Sequence, residues 1–271
     1  MKQAAVAAKP SERTSKLTKA NNMVAIASGK GGVGKTWLAI TLAHALAKAK
    51  TKALLFDGDL GLANLDIQLG LMPKHDLGSV IAGRLTLSQA IFSFEDESAN
   101  SFDIIAGRSG SGGLANVPAG RLQILGDDLT LLSSGYDRVI IDLGAGVERT
   151  VRQLTNNVNT CLVVATDEPT SLTDAYAFIK LTHMGRPDTD IRIVVNMANS
   201  TREGERTYNT LLKACEGFLK FSPALMGVIR RDNKVREAIR AQSSILTRYP
   251  NCEAAADVEK IAALLLGKAG S

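Results

Sequence analysis

The 271-residue chain has three cysteines, one tryptophan and three histidines, and aromatic residues make up only 4% of it. Cys161, Cys215 and Cys252 are far apart and form no C-x-x-C pair. That excludes a sequence-evident zinc or iron–sulfur centre and points to a reducing compartment. His44, His75 and His183 stand in unrelated segments without metal or nucleophile spacing, and His44, inside an Ala/Leu-rich helical pattern, reads as a packing residue. No apolar run is long enough to span a bilayer, and the first residues lack the apolar stretch of a secretory signal. At 45% hydrophobic residues the chain can still bury a large core in one or two domains.

Cationic excess is localised. Residues 1–20 carry Lys2, Lys9, Arg13, Lys16 and Lys19 against Glu12 alone, which accounts for +4 of the formal net charge of +5. The remainder is nearly neutral, so net charge does not argue for nucleic-acid binding. Residues 1–22 are expected to be a flexible basic tail, either a solvated leader or a peptide that docks on a partner. Residues 23–271 are expected to form one domain.

The segment Gly29 to Thr36, GKGGVGKT, meets the phosphate-loop pattern G-x-x-x-x-G-K-[ST]. It follows the apolar run Met23 to Ala27 and precedes a helical pattern from Leu38 to Lys48, the strand–loop–helix context that the motif needs. Gly29, Gly31, Gly32, Val33 and Gly34 can turn consecutive N–H groups inward around phosphates, and the following helix adds the positive end of its dipole. Lys35 should reach the β- and γ-phosphates, and the Thr36 hydroxyl should ligate Mg²⁺. Lys30 is a second lysine that ordinary loops of this kind lack.

Strand-like runs at Met23–Ala27, Ala53–Phe56, Phe102–Ile105, Arg138–Ile141, Cys161–Ala165, Ile191–Val195 and Ala224–Ile229 alternate with helical patterns near 37–49, 118–133, 147–157, 170–184, 203–219, 232–242 and 254–266. This alternation predicts an α/β fold: a doubly wound, mainly parallel sheet with helices on both faces, as in P-loop NTPases. Gly107 to Gly113 reads as a loop. Ligands of such sheets lie at the carboxyl ends of the strands. Asp57 and Asp59 fall at the end of the second run, in LLFDGDLGLANLD, and Asp142 ends the fourth, in YDRVIIDLGAG. A lone strand-end Asp commonly makes a turn or a helix cap. Two such sites downstream of a phosphate loop fit nucleotide chemistry, with Asp142 in the role that holds Mg²⁺ through water. Gly144 and Gly146 would let the following loop respond to a γ-phosphate.

The loop with Lys30 resembles the deviant phosphate loop of the MinD/ParA superfamily. The resemblance implies an ATP-dependent sandwich dimer in which Lys30 reaches the partner's nucleotide, Asp59 positions the attacking water, and Asp57 supports the Mg²⁺ network. DGDLGLANLD (57–66), IIAGRSGSGGLANV (104–117), TDEPTSLTDAYAFIK (166–180), VVNMANS (194–200) and GVIRRDNKVREAIRAQSSILTRYPN (227–251) are most similar to the FlhG family, also called FleN or YlxH. That implies a slow cytoplasmic ATPase regulating flagellar number or placement. Its implied partners are an FlhF-like GTPase, flagellar switch-complex proteins or a flagellar transcription regulator, with placement at the inner membrane or cell pole through them. Asn196 matches the family's adenine-contacting asparagine; the alternative is a strand-end turn residue.

Departures from the family qualify this reading. The GTPase-stimulating D-Q-A-x-x-L-R peptide has only Gln3 and Ala4 as counterparts, with Ala8 where arginine would fall. Arg230 and Arg231 stand where the base-recognition loop commonly has proline. Trp37, directly after Thr36, has no explanation in the sequence. The last helix has only Lys260 and Lys268 as cations and no aromatic, so weak or no autonomous membrane binding is expected. Arg230, Arg231, Lys234, Arg236 and Arg240 cluster, but Asp232 and Glu237 interrupt them, so a solvated face is favoured over DNA binding. The alternatives are a positioning ATPase for DNA, chemoreceptor or division-site cargo, and a nucleotide-dependent scaffold that barely hydrolyses ATP.

Overall fold

The computed structural model describes residues 20–107 and 117–267. The tail up to residue 19, the loop residues 108–113 and Lys268 lie outside the described residues. An eight-stranded sheet has the order β3-β4-β2-β5-β1-β6-β7-β8, built from β1 (Ala20–Ser28), β2 (Ala53–Gly58), β3 (Phe92–Glu95), β4 (Ser101–Ile105), β5 (Arg138–Ala145), β6 (Val158–Ala165), β7 (Asp190–Ala198) and β8 (Ala224–Arg230). All neighbouring pairs are parallel except β3 with β4.

Apolar runs without alternation are what a sheet covered on both faces requires. In β1, Val24 and Ile26 enter one core while Met23, Ala25 and Ala27 enter the other. The first core lies beneath α1 (Lys35–Lys48), α8 (Asn233–Arg240), α9 (Ile245–Arg248) and α10 (Glu253–Leu265). The second lies beneath α4 (Ala119–Ser133), α5 (Arg149–Thr155), α6 (Pro169–Gly185) and α7 (Thr201–Leu219). Two single-turn helices, α2 (Leu65–Leu69) and α3 (Leu77–Ile81), follow β2.

Each of the seven predicted strands is present, with three differences. β1 begins at Ala20, inside the stretch expected to be tail. The antiparallel edge strand β3 is additional; at four residues, FSFE is too short to give a clear period. β5 continues to Ala145, so Asp142 lies within the strand instead of ending it. The reason is pairing on both sides: Asp142 is in register with Asp57 of β2 and with Ile26 of β1, and Ala145 pairs with Ser28.

His44 is buried as expected, but it does more than fill space. Its Nδ1 is 2.6 Å from Ser244 Oγ and its Nε2 is 2.7 Å from Asp96 Oδ2, beside the rings of Phe94 and Phe102. Burial lowers the His44 pKa below its ordinary 6.5, outweighing the opposing pull of Asp96; Lys48 adds to the lowering and Glu259 opposes it. Neutral His44 therefore donates from Nε2 to Asp96 and accepts the Ser244 hydroxyl at Nδ1. Burial raises the Asp96 pKa, but hydrogen bonds from Asn100, His44 and the Ser98 amide more than reverse that and hold it well below the usual carboxylate range. One side chain thus ties α1 to the loop after β3 and to the cap of α9, where Ser244 accepts the Leu246 amide.

A group whose pKa is lowered by folding contributes stability above its unfolded pKa that is lost as pH falls. The slope that His44 itself adds to the melting midpoint should therefore run downward as pH is lowered from 7 to 5. His44→Ala should remove much of that slope and cost about 1–3 kcal/mol at pH 7, because Ser244 and Asp96 lose a buried partner. Equal melting curves for the two proteins across this range would refute the assignment.

Candidate functional site

The phosphate loop joins the carboxyl end of β1 to α1. Gly34 is left-handed, with φ of 92°, and a Cβ there would come within 2.4 Å of Asn196 Nδ2. A Cβ on Gly29 would come within 2.0 Å of the Asp174 carbonyl oxygen, so glycine is the residue that lets the loop lie against α6. Gly31, Gly32, Gly34, Lys35 and Thr36 line a cavity of about 750 Å³ together with Asp59, Leu62, Gln68 and Gly144. Val33 is buried, and its carbonyl oxygen accepts the Asn196 side-chain N–H at 2.8 Å.

Acidic groups converge beneath this loop. Asp57 and Asp142 are both buried and occupy matched positions on adjacent strands. Burial pushes the Asp57 carboxyl well above its usual range and neighbouring Asp142 adds to the effect, while the amides of Gly107 and Asp59 pull it back. The Asp59 amide is 3.2 Å and the Gly107 amide 3.3 Å from the Asp57 carboxylate. Asp142 is pushed up to about 7, chiefly by burial, with the Thr36 hydroxyl and Lys35 opposing the rise and Asp59 adding to it. Burial also lowers the Lys35 pKa, against the attraction of Asp142 and Asp59. Asp59 Oδ1 accepts the Leu62 amide at 3.0 Å, which fixes the turn at the mouth of the cavity.

This chemistry fits Mg²⁺. Asp142 Oδ1 is buried with no hydrogen-bond partner among the described residues, and a desolvated carboxylate oxygen left unpaired is costly. The other ingredient, the Thr36 hydroxyl, lies beside the same carboxylate and opposes the rise of its pKa. No cluster of three or more His, Cys, Asp or Glu side chains able to hold a metal occurs among the described residues. A hydroxyl and one carboxylate are suited to an ion held mainly by phosphate oxygens and water.

Lys30 stands apart from the residues that line this cavity. Its Nζ donates to Glu168 Oε2 at 2.6 Å and to Thr170 Oγ1 at 2.9 Å. The Lys30 side chain is 36% exposed and that of Glu168 61%. Hydrogen bonding and charge from Lys30 lower the Glu168 pKa. Sequence reasoning singled out the 166–180 segment but not these two side chains. The available signal was the E-P-T sequence opening α6, since proline is favoured in the first turn of a helix.

A second, smaller cavity of about 160 Å³ continues from the loop and is lined by Trp37, Asn196, Met197, Ile229, Arg231, Val235 and Ile239 among others. Asn196 donates to Val33 and accepts the Met197 amide at 2.9 Å, so it buttresses the loop while bordering this cavity. Arg230 also lines it, with its guanidinium engaged on the α10 side. Its guanidinium bonds Asp257 Oδ2 at 2.8 Å and Oδ1 at 2.9 Å and also pairs with Glu253, which ties the end of β8 to α10.

A glycine-rich loop between strand and helix, with a buried lysine and a hydroxyl–carboxylate pair beneath it, defines a P-loop nucleotide-binding protein. The family described as CobQ/CobB/MinD/ParA nucleotide binding domain matches residues 24–245, and the chain belongs to it. Antiactivator FleN of Pseudomonas aeruginosa is 35% identical over 244 residues, covering 89% of this chain and 84% of that protein. Flagellum site-determining protein YlxH of Helicobacter pylori is 30% identical over 247 residues, covering 90% and 82%. Among solved structures, the septum site-determining protein MinD of Pyrococcus horikoshii, complexed with Mg-ADP, superposes with a TM-score of 0.76 at 24% identity over 93% of this chain and all of that one. This last likeness shows the fold.

Relieving the buried carboxylate crowd should stabilise the protein measured without nucleotide or metal. Asp142→Asn is expected to raise its melting midpoint at pH 8 by about 2–8 °C while abolishing Mg²⁺-dependent phosphate release. A lowered midpoint would refute the crowding argument.

Proposed function

We propose that this chain is an ATPase switch of the FlhG/FleN type, which dimerises with ATP and Mg²⁺ and regulates flagellar number or placement. The observation that carries the mechanism is the position of Lys30. Its side chain is not among those lining the cavity of its own phosphate loop and is 36% exposed, so a lysine there can serve a second subunit. The biological assignment rests on similarity to FleN and YlxH along most of the chain.

In this reading the loop amides and Lys35 hold the phosphates, while Thr36 and Asp142, the latter through water, hold Mg²⁺. The metal would supply charge neutralisation at the phosphate oxygens. Asp59, at the mouth of the cavity, orients a water for attack on the γ-phosphorus, and the bond to the bridging oxygen breaks to give ADP and phosphate. Asp57 fixes the turn before Asp59 through the Asp59 amide. Each Lys30 leaves Glu168 and Thr170 and neutralises charge on the partner's nucleotide, where a preorganised cation stabilises the developing charge. Turnover is slow because the complete site requires two chains. The dimer surface then recruits an FlhF-like GTPase, switch-complex proteins or a flagellar transcription regulator from the cytoplasm.

Two observations weigh against other attachments. The apolar side of α10, with Val258 and Ile261, is packed into the core, which supports a closing helix of the domain over an interfacial anchor. Within the basic cluster, Arg230 is paired with Asp257 and Glu253, and Lys234 with Glu237. That leaves fewer cations for DNA.

Asp59→Ala should accumulate as a dimer in ATP and Lys30→Ala should remain monomeric, as read by analytical ultracentrifugation; a monomeric Asp59→Ala protein in saturating ATP would refute the switch. Glu168→Gln should shift dimerisation to protein concentrations roughly 2- to 5-fold lower, the scale of an exposed ion pair. A native-lysate pull-down with ATP-loaded Asp59→Ala protein, controlled by Lys30→Ala, should retain flagellar proteins. Recovery of division-site or DNA-partition proteins instead would overturn the flagellar assignment.

A further inference from the structure

Apart from the nucleotide cavities, a further cavity of about 460 Å³ lies where α5 meets the start of α4 and the end of α6. Arg149, Arg152, Gln153 and Asn156 line it from α5 and its C-cap, and Thr182 and Arg186 line it from the end of α6. The α5 positions follow the spacing i, i+3, i+4, i+7, so their side chains share one face of the helix, the face that fronts the cavity. Thr150 and Val151, on another face of the same helix, border the phosphate cavity instead. No Asp, Glu, His or Cys is among the described residues lining the further cavity. Three guanidinium groups therefore border one space that contains no carboxylate to neutralise them and no general base.

Much of that charge is unanswered. Arg149 and Arg152 are exposed, and neither side chain has a hydrogen bond or ion pair among the described residues. Arg149 opens α5, whose first turn carries no acid, although a cation there opposes the helix dipole. Arg152, three residues on, adds like-charge repulsion. The Arg186 side chain is 14% exposed, and neutral carbonyls hold it beside α5: Nη1 donates to Thr155 O at 2.7 Å and Nη2 to Val158 O at 3.0 Å. Its carboxylate neighbour Asp188 stands 4.0 Å from Nε and does not line the cavity. An anion between the two helices would relieve the repulsion and the dipole together.

We infer that this cavity is a second anion site, taking a soluble small molecule that presents one or more phosphate groups to Arg149, Arg152 and Arg186. Guanidinium meets phosphate with two parallel N–H donors, and Arg186 is oriented in advance by its carbonyl partners. Enclosure between helices suits a compact ligand, whereas a nucleic-acid backbone is tracked by cations along an open groove. With no general base at hand, the site binds its ligand without turning it over. It requires neither ATP nor a second subunit.

The probe is inorganic pyrophosphate, titrated by calorimetry without divalent metal into full-chain Lys35→Ala protein, whose phosphate loop has lost its anchoring amine. One site per chain is expected. Arg149→Gln and Arg152→Gln, both at exposed positions, should each weaken it about tenfold, the scale of a hydrogen bond to a charged group. Arg206→Gln, exposed on α7, should leave it within twofold. Absence of binding, undiminished binding after the Arg149 and Arg152 substitutions together, or an equal loss with Arg206→Gln overturns the site. Should Lys35→Ala fail to fold, wild type saturated with Mg-ADP and titrated with inorganic phosphate is read by the same criteria. Phosphatidylglycerol vesicles test the other source of phosphate. Co-sedimentation that the Arg149 and Arg152 substitutions abolish would overturn a soluble ligand, as would retention on duplex DNA lost with the same pair; pyrophosphate binding with neither supports it.

Discussion

Asp57 and Asp142 face each other on adjacent strands with little water around either, and much of the site follows from the cost of that arrangement. A parallel register puts the two carboxylates side by side, and burial of both leaves charge that the protein alone does not neutralise. Lys35 and Thr36 supply part of the compensation from the loop, and the Gly107 and Asp59 amides supply another part. What is left over is a demand for positive charge at one point. A phosphate loop that brings anions to the same point needs that positive charge as well, so metal and nucleotide are each favoured by what the other requires. Affinity here comes from incomplete electrostatics held in place by a rigid sheet.

Rigidity has its own source. β1 and β5 sit in the middle of the sheet with partners on both sides, and their side chains are shared between two cores. Loop positions carried by such strands are fixed from below, while Gly29 and Gly34 fix the loop from the side by packing against α6 and Asn196. The lysine left outside this framework is Lys30, whose ties are to Glu168 and Thr170 at the start of α6. The same segment of chain thus contains an immobile cradle and one side chain with room to change partners.

Much of this was legible in the sequence. Long apolar strands have a clear signature because they are buried on both faces, and the phosphate loop is a contiguous string whose chemistry depends on its own backbone. What escaped was either short or distant. β3 is four residues long and antiparallel, and His44 reads as packing because its partners Asp96 and Ser244 are 52 and 200 residues away. Asn196 was expected at the base, yet its amide spans to Val33, a contact that only the folded loop creates. Arg230 looked like part of a basic face until α10 brought Asp257 and Glu253 to it. Each of these is a pairing between remote segments, for which local periodicity carries no information.

The Arg230 pairing reaches further than charge balance. β8 ends at the wall of the smaller cavity, and Arg230 fastens that end to the first turns of α10 by three hydrogen bonds to Asp257, one of them from its own main chain. α10 in turn lies against α1, the helix that grows out of the phosphate loop. Loop, helix, helix and strand end close a mechanical ring around the nucleotide cavities. In a closed ring no member moves alone, and free-energy linkage runs equally in both directions. Any ligand that favours one setting of the ring changes how the last helix is held, and any load placed on that helix changes how tightly the ligand is gripped by the same factor.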